Sequence, residues 1–338
     1  FANAAGGAAF DYGSFSPLGG AQPYVLNQLD SAFLTLPSFL DERHEIRNAA
    51  DAEAYIARLR AVAVACAATL VPAAAWAQAF PRYGDDVYQP RLRQPGKDVM
   101  WLPTPDAMVT RMLEAAGVTS KDVVYDLGAG EGRIPIAAAK AFGARAVGIE
   151  YDRDLAALAT RNAQRAGVAD KVTIIAGDIF KEDFTKATVV TLYLLPDLNF
   201  QLRPQLLAMK PGTRIVSHMW DMGEWEPDEA MTVEDSQAFL WRVPAAVAGR
   251  WSLADDQGFF RFDVDLVQKF QRIGGTYTLR GATRPLLGAY LNGTTLGFTF
   301  VDFDNSVRSV RVDVAGDRMR GQLRFAGNDT PISGSRKP

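Results

Sequence analysis

One stretch, residues 123–134 with the sequence VVYDLGAGEGRI, constrains the fold of this chain more than any other part of it. Its first part, residues 123–127, is mostly apolar and is typical of a buried strand in a parallel sheet. Gly128, Gly130 and Gly132 follow, and glycine lets the backbone take a positive φ or lie directly against a ligand because it has no Cβ. A helical pattern comes next, and a helix N-terminus offers unpaired N–H groups. This order predicts a nucleotide-type binding site.

The spacing of the glycines argues against a dinucleotide as the ligand. The dinucleotide fingerprint G-x-G-x-x-G needs its third glycine at the position that Arg133 occupies here. An acidic residue, Asp126, instead precedes a G-x-G-x-G loop, and a second acidic residue, Glu150, ends the next apolar run. A third, Asp178, follows the run after that. Three successive strands that each end in a carboxylate are typical of a ligand site rather than of chance surface charges.

Strand and helix patterns alternate through the middle of the chain. Predicted strands are 123–127, 146–150, 172–176, 188–194 and 213–218, and predicted helices are about 106–116, 133–142, 153–166 and 197–209. Thr104 is the predicted N-cap of the first helix, with Pro105 at its first position, and Gly167 and Gly212 are expected to cap later helices. Strands without polar alternation favour a parallel sheet covered on both faces. The prediction is a doubly wound α/β domain over residues 78–247, with ligands at the carboxyl ends of its strands.

The pattern changes to a period of two near residue 248. Phe260, Phe262, Val264 and Leu266 alternate with charged residues, and residues 310–314 repeat this alternation, as expected for half-buried strands. Predicted turns at 274–275, 292–293 and 304–305 separate the runs. Residues 248–338 are therefore predicted to form a small all-β domain, an antiparallel barrel or sandwich.

The composition excludes an internal disulfide and argues against several other classes of site. The chain has one cysteine, Cys66, and two histidines, His44 and His218, so an internal disulfide is impossible and a Cys/His zinc site is a poor fit. A Ser-His-Asp hydrolase would have to use one of those two histidines. A net charge of −3 shows no basic excess, which disfavours a nucleic-acid partner.

The first part of the chain has a different character from the rest. Residues 58–77 contain Arg58 and Arg60, then an apolar run, then the A-x-A site at residues 75–77, in the order of a secretory signal peptide. A buried alanine-rich helix is the alternative, while Pro72 and the short run argue against a membrane span. We therefore expect no transmembrane anchor after removal of the leader, and a periplasmic or secreted protein if the leader is used. Without its use the protein would be cytoplasmic. Residues 1–57 are interpreted as a foreign or fused segment.

Several motifs together resemble one known family. They are Gln94-Pro-Gly-Lys-Asp98, Leu102-Pro-Thr-Pro105, Asp126-Leu-Gly-Ala-Gly-Glu-Gly-Arg133, Thr191-Leu-Tyr-Leu-Leu-Pro196 and Gly212-Thr-Arg-Ile-Val-Ser-His218. Over roughly residues 80–255 the chain is similar to a bacterial family of class I S-adenosylmethionine (SAM)-dependent methyltransferases that carry leader peptides. This family is related to the seven-β-strand methyltransferases that modify lysines of mitochondrial proteins. Residues 1–57 loosely resemble a fragment of a putative secreted peptidase family.

The resemblance implies a Rossmann-like class I sheet, SAM as the cofactor and a role for each cofactor-binding residue. Gly128 and Gly130 would let the backbone lie against the methionine part of SAM, with Gly132 completing the loop. Asp126 would orient the amino end of the methionine part of SAM. Glu150 would accept hydrogen bonds from the ribose hydroxyls, a task that suits an acceptor-only carboxylate. Asp178 would meet the adenine amino group, with Ile179 beside the ring.

The acceptor region is expected where the fourth strand ends. Tyr193, Pro196 and Asn199 are the candidates there, and His218 at the end of the fifth strand is a candidate base or a structural histidine. Trp101 and Thr104 are predicted lid residues. The Asn/Asp-Pro-Pro-Tyr/Phe tetrapeptide of amino-directed DNA methyltransferases is missing at this position, which disfavours a nucleobase acceptor. Three hypotheses remain: methylation of protein lysine, methylation of a small molecule, and an exported SAM-binding module without catalysis.

Overall fold

The computed structural model describes residues 83–258 and 260–338. The predicted leader at 58–77 and the segment 1–57 lie outside the described residues. The described residues form one compact unit that contains two β-sheets. None of the described helices is both long and apolar enough to cross a membrane.

The first sheet has seven strands in the order β3-β2-β1-β4-β5-β7-β6. Neighbours among β1 to β5 are parallel, whereas β7 is antiparallel to both β5 and β6. The strands are β1 Val123–Leu127, β2 Arg145–Glu150, β3 Val172–Ala176, β4 Val189–Leu192, β5 Arg214–His218, β6 Glu229–Val233 and β7 Ser236–Arg242. The helices are α1 Asp106–Ala115, α2 Arg133–Phe142, α3 Arg153–Arg165 and α4 Pro196–Leu207. The predicted α/β sheet is confirmed, with an antiparallel edge that the sequence patterns had not indicated.

Alternate residues of each central strand enter two separate hydrophobic cores, one on each face of the sheet. Val124 and Val189 belong to the core that α1, α2 and α3 cover, while their neighbours Tyr125 and Val190 belong to the core beneath α4. Strand side chains alternate in direction, so a sheet buried on both faces needs apolar residues at successive positions. This requirement explains the continuous apolar runs in the sequence.

Two predicted helix caps are wrong. Helix α1 begins at Asp106 with Pro105 as its N-cap, and Thr104 makes no capping hydrogen bond because its hydroxyl lies beside His218. Gly212 takes a φ of 89° but precedes β5, whereas α4 has already ended at Leu207 with Ala208 as its C-cap. Gly167, by contrast, follows the C-cap of α3 with a φ of 72°, as predicted.

The second sheet has nine antiparallel strands in the order β11-β10-β9-β8-β16-β15-β14-β13-β12. The strands are β8 Gly249–Asp255, β9 Arg261–Lys269, β10 Arg272–Leu279, β11 Ala282–Pro285, β12 Leu287–Asn292, β13 Thr295–Val301, β14 Val307–Ala315, β15 Arg318–Phe325 and β16 Asn328–Arg336. The two edge strands, β11 and β12, are consecutive in the chain with only Leu286 between them. The sheet therefore curls into a nearly closed barrel, here called the barrel, around aromatic side chains such as Trp251, Phe262 and Phe300.

The predicted alternation in the barrel is confirmed, because Phe262, Val264 and Leu266 are buried in β9. The predicted turn at residues 274–275 is wrong, since both glycines lie inside β10. Gly275 has a φ of 144°, and a Cβ there would lie 2.0 Å from the carbonyl oxygen of Asp265. Glycine is needed at this point because β10 passes close to β9, and it does not mark a turn.

Candidate active site

A cleft with an empty volume of about 1040 Å³ opens at the carboxyl ends of β1, β2, β3 and β4, the edge at which α/β sheets bind ligands. The predicted residues that line it are Trp101, Thr104, Asp126, Gly128, Gly130, Glu150, Asp178, Ile179 and Tyr193. These residues come from four strand ends and from the segment before α1. The tertiary structure therefore brings most of the predicted site together.

The glycine-rich loop after β1 is held against β2. The N–H groups of Gly128 and Ala129 both donate to the carbonyl oxygen of Ile149, at 2.9 and 3.0 Å. Gly130 has a φ of 55°, and a Cβ there would lie 2.7 Å from Nε1 of Trp101. Trp101 can close over the loop only because residue 130 has no side chain.

Glu150 at the end of β2 organises the floor of the cleft. Its Oε2 accepts a hydrogen bond from the Gly130 N–H at 2.7 Å, and its Oε1 accepts one from the Asp152 N–H at 2.9 Å. The side chain is buried, and burial raises its pKa. A carboxylate oxygen accepts more than one hydrogen bond, so each oxygen retains capacity for a ligand hydroxyl.

Asp126 lies next to Glu150 and is 3% exposed. Burial raises the pKa of Asp126 to about 7; the hydrogen bond from Thr191 Oγ1, at 2.7 Å, opposes this rise and the charge of Glu150 adds to it. In the described part of the chain neither carboxylate forms an ion pair with Lys or Arg. Two such carboxylates give this end of the cleft a negative potential, which suits a cationic ligand.

Asp178, after β3, forms an ion pair with Lys97, a residue that the sequence analysis did not place in the site. Its Oδ1 accepts a hydrogen bond from the Phe180 N–H, and its Oδ2 lies 3.1 Å from Nζ of Lys97. The Phe180 bond, and then Lys97, lower the pKa of Asp178 against the opposing effect of burial. Lys97 also lies over the ring of Tyr151, 4.8 Å from its centroid. The signal for Lys97 was its place in the motif at residues 94–98.

The segment before α1 is attached to the sheet domain at its beginning. The Asp85 carboxylate binds Arg161 and Arg165 of α3 at 2.6 and 2.8 Å, and these contacts strongly lower its pKa. Tyr83 packs edge-on against Trp101, with ring centroids 5.2 Å apart. The lid residues are therefore part of a fixed wall of the cleft in this structure.

Tyr193, Thr104 and His218 form a cluster at the inner end of the cleft. The rings of Tyr193 and His218 are 4.1 Å apart, and the Nδ1 atom of His218 lies 3.2 Å from the hydroxyl of Thr104. His218 is buried behind the two other residues, its Nε2 has no partner among the described residues, and burial lowers its pKa to about 4. A neutral histidine held in this way supports Thr104 and Tyr193 from behind.

Besides the buried His218, three predicted site residues lie away from the cleft surface. Asn199 is fully buried, and its Nδ2 donates to Ser217 Oγ and to the carbonyl oxygen of Trp220, both at 3.2 Å. Pro196 is the first residue of α4. Gly132 is the N-cap of α2 with a φ of 83°, and a Cβ there would lie 3.0 Å from the Cβ of Ala159 on α3. Their visible contacts are structural.

The residues of the cleft fit a nucleoside that carries a positive charge. Glu150 retains acceptor capacity for hydroxyls, the backbone at Gly128 and Gly130 is free of Cβ atoms, and Asp126 has no cationic partner within the described residues. Ile179 and Leu155 add apolar surface for a ring. SAM combines ribose hydroxyls, an adenine ring and a sulfonium, so the residues present match it group by group.

Comparison with known proteins agrees with this geometry. The model of the ANTKMT methyltransferase domain matches residues 126–229. A protein-lysine N-methyltransferase of Saccharolobus islandicus is 45% identical over 139 residues, which are 40% of this chain and 86% of that protein. The adenine nucleotide translocase lysine N-methyltransferase of Mus musculus is 34% identical over 31% of this chain, and the match spans only 46% of that protein.

One solved structure is similar to part of this chain. It is the crystal structure of an RNA methyltransferase from Salinibacter ruber in complex with S-adenosyl-L-homocysteine, 52% identical to this chain. It covers 43% of this chain and 96% of its own, with a TM-score of 0.43. The cofactor of the present protein is SAM, and the enzyme transfers a methyl group from it. The chain belongs to the family of SAM-dependent methyltransferases that includes the Saccharolobus islandicus protein-lysine N-methyltransferase.

Proposed function

We propose that this enzyme methylates the side-chain amine of a protein lysine. The observation that carries the proposal is the composition of the cleft beside the end of β4. Tyr193, Leu194 and Leu198 line it there, together with Trp101 and Asp126. An aliphatic side chain with a terminal amine suits a channel with apolar walls that ends near carboxylates. The lysine-modifying relatives support the same acceptor.

The walls of this region would prepare the amine for attack. A lysine reacts only after its ammonium has lost a proton. Apolar surroundings disfavour the charged form and so lower the amine pKa, whereas an ionised carboxylate nearby has the opposite effect, so the apolar walls beside Tyr193 are the part that favours the neutral amine. Tyr193 is itself partly buried, and burial raises its pKa, so its phenol stays neutral and can bind the amine by a hydrogen bond. His218, which lies beside the Thr104 hydroxyl, holds the Tyr193 ring in place from the other side.

The remaining residues would align SAM with the acceptor amine. SAM supplies an activated methyl group on its sulfonium when it is bound. Glu150 holds the ribose end, the Gly128 and Gly130 backbone bounds the methionine end, and Trp101 covers the loop and excludes water. Alignment and exclusion of water are the main contributions that a protein makes to such a displacement.

The experiment that tests the proposal is proteome methylation with labelled SAM. The full chain is incubated with a bacterial lysate, and peptides are analysed for methylated lysine by mass spectrometry. A Glu150→Gln variant serves as the comparison with weakened SAM binding, and Glu114→Gln, on the exposed side of α1, is the matched control. Methyl-lysine that depends on Glu150 supports the proposal. Label found only in small molecules or only in RNA contradicts it.

We also assign the first sheet to the class I methyltransferase fold. The support is its strand order, β3-β2-β1-β4-β5-β7-β6, with a single strand, β7, antiparallel to β5 at the end of the parallel set. The glycine-rich loop follows β1 in this order.

For the leader we propose that residues 58–77 direct export and are removed after Ala77. The support is the order of basic residues, apolar run and small-residue site. Export would place the enzyme in the periplasm or outside the cell, where SAM would have to be supplied across the membrane. Mass spectrometry of the native N-terminus in separated cell fractions tests this, and a peptide spanning Trp76 and Gln78 in the mature protein contradicts it.

A further inference from the structure

A shallow groove on the outside of the barrel, here called the arginine groove, is built from four neighbouring strands. Its floor consists of β8 and β16, and its walls rise from β9 and β15. The outward side chains of the floor are small: Ser252, Ala254, Ser333 and Ser335. Long side chains on the walls beside a floor of small ones create the depression.

The strand register sets the width of the arginine groove. Arg261 on β9 pairs with Ala254, Ala254 pairs with Ser333, and Ser333 pairs with Arg320 on β15. The two arginines are thus three strand spacings apart, or about 14 Å between backbones. Arginine side chains that lean over the floor leave room for one extended chain between them.

The charge of the arginine groove is strongly positive. Arg261, Arg318, Arg320, Arg336 and Lys337 line it, and its lining within the described part of the chain contains no acidic side chain. The full sequence carries a net charge of −3, so the charge of this surface is opposite in sign to the net charge of the protein. A local excess of this kind steers and binds anionic partners.

Of these five cations, two are already paired, Arg261 interacts with the charge of Asp263, and the remaining two are available. Arg336 binds Asp317 at 2.7 Å, and Lys337 binds Asp263 at 2.5 Å. Arg318 and Arg320 are exposed, and neither forms an ion pair with any residue that the structure describes. The available charge therefore lies on β15.

The shape and spacing of the available charges indicate the chemistry of the partner. No aromatic side chain lines the groove within the described residues, whereas proteins that hold single-stranded nucleic acid stack its bases on aromatic rings. The planar guanidinium group of arginine can donate two parallel hydrogen bonds to one carboxylate. Arg318 and Arg320 are two residues apart on one strand, about 6.7 Å, which is the spacing of same-side residues in an extended peptide.

We propose that the arginine groove binds an extended acidic segment of a partner protein, with Glu or Asp at alternate positions facing Arg318 and Arg320. The groove lies on the barrel and uses no residue of the SAM cleft, so the inference does not depend on the nature of the methyl acceptor. Binding there gives the barrel a role in recruiting a protein to the enzyme.

Fluorescence anisotropy with the full chain tests this inference. The probe is a labelled peptide of alternating glutamate and serine, in about 0.1 M salt so that distant charges are screened. A peptide of the same composition whose glutamates are contiguous is the comparison. The alternating peptide is expected to bind more tightly, and Arg318→Glu/Arg320→Glu to weaken its binding about tenfold, because exposed ion pairs are replaced by repulsion.

The matched control is Arg145→Glu/Arg284→Glu, which makes the same change of charge at exposed positions on β2 and β11, away from the groove. It is expected to leave peptide binding within about twofold of the original, since distant exposed charges are screened. Equal losses in both double variants, no loss in the β15 variant, or tighter binding of an oligouridylate than of the alternating peptide would overturn the proposal.

Discussion

The Nζ atom of Lys97 lies 3.1 Å from Oδ2 of Asp178, and this ion pair joins the segment before α1 to the loop after β3. The two residues are far apart in the sequence, and their contact closes one side of the SAM cleft. The same ammonium lies over the ring of Tyr151. The cofactor cleft thus has a wall that depends on a partly exposed ion pair.

Lys97→Gln is expected to weaken SAM binding modestly, by about two- to fivefold, since partly exposed ion pairs contribute little. The effect should shrink as salt is added. Calorimetric titration with SAM measures it. Lys181→Gln is the matched control because Lys181 is 3.9 Å from the same oxygen of Asp178 but its side chain is 81% exposed. Equal effects of the two variants would contradict a specific role for Lys97.

Glu150→Gln is expected to reduce SAM affinity by roughly 1–3 kcal/mol, because an acceptor for ligand hydroxyls is lost and polar ligand groups are left unpaired. The amide keeps one oxygen for the N–H of Gly130 or Asp152, so the loop should remain folded. Titration calorimetry checks the affinity and thermal unfolding checks the fold. Wild-type affinity in a folded variant would refute the assigned role.

Gly130→Ala is expected to lower both stability and SAM affinity. A left-handed conformation costs a non-glycine residue about 1–2 kcal/mol, and the new Cβ would also meet Trp101 at 2.7 Å. Gly167→Ala separates the cost of the positive φ from the cost of the clash. Gly167 has a φ of 72°, but no heavy atom lies within 4 Å of the added Cβ. That control should lose stability alone. Trp101→Leu in the Gly130→Ala background should restore part of the stability if the clash is real.

The pKa of Asp126, about 7, predicts a pH dependence of SAM binding. A raised carboxyl pKa means that the folded protein keeps a proton which the unfolded chain has lost, so this group reduces stability as pH rises through 7. Cationic SAM favours the ionised form, so affinity should rise between about pH 6 and about pH 8. Asp126→Asn should flatten the profile, while the exposed Asp170→Asn should not. A profile unchanged by Asp126→Asn would refute this.

The depressed pKa of His218, about 4, predicts a loss of stability in acid. The unfolded histidine takes up a proton near pH 6.5 and the folded one near 4, so stability present above 6.5 is lost as pH falls between these values. At about pH 5 the loss from this group is roughly 1–2 kcal/mol. Urea unfolding of the wild type and of His218→Gln at about pH 5 and pH 7.5 measures the difference. An identical pH dependence in both proteins would contradict the prediction.

Local sequence determined the central fold and the cofactor end of the site. Apolar runs such as Thr188-Val-Val-Thr-Leu-Tyr-Leu194 have no polar alternation, and both faces of their strands are indeed buried. Asp126, Gly130 and Glu150 were predictable because a parallel sheet places successive strand ends side by side. The strands β1, β2 and β3 are neighbours in the sheet and also successive in the chain, so the sequence could indicate that their ends lie together.

Other features were decided only by the tertiary structure. The pair Lys97 and Asp178, the position of His218 behind Tyr193, and the antiparallel strands β6 and β7 all depend on contacts between distant segments. Local patterns misassigned Thr104 as a cap, since its hydroxyl has a long-range partner in His218. They misassigned Gly275 as a turn residue, since close packing of β10 on β9 also requires glycine. Residue patterns record local backbone preferences, whereas the pairing of remote side chains depends on how strands and helices pack, which no local pattern encodes.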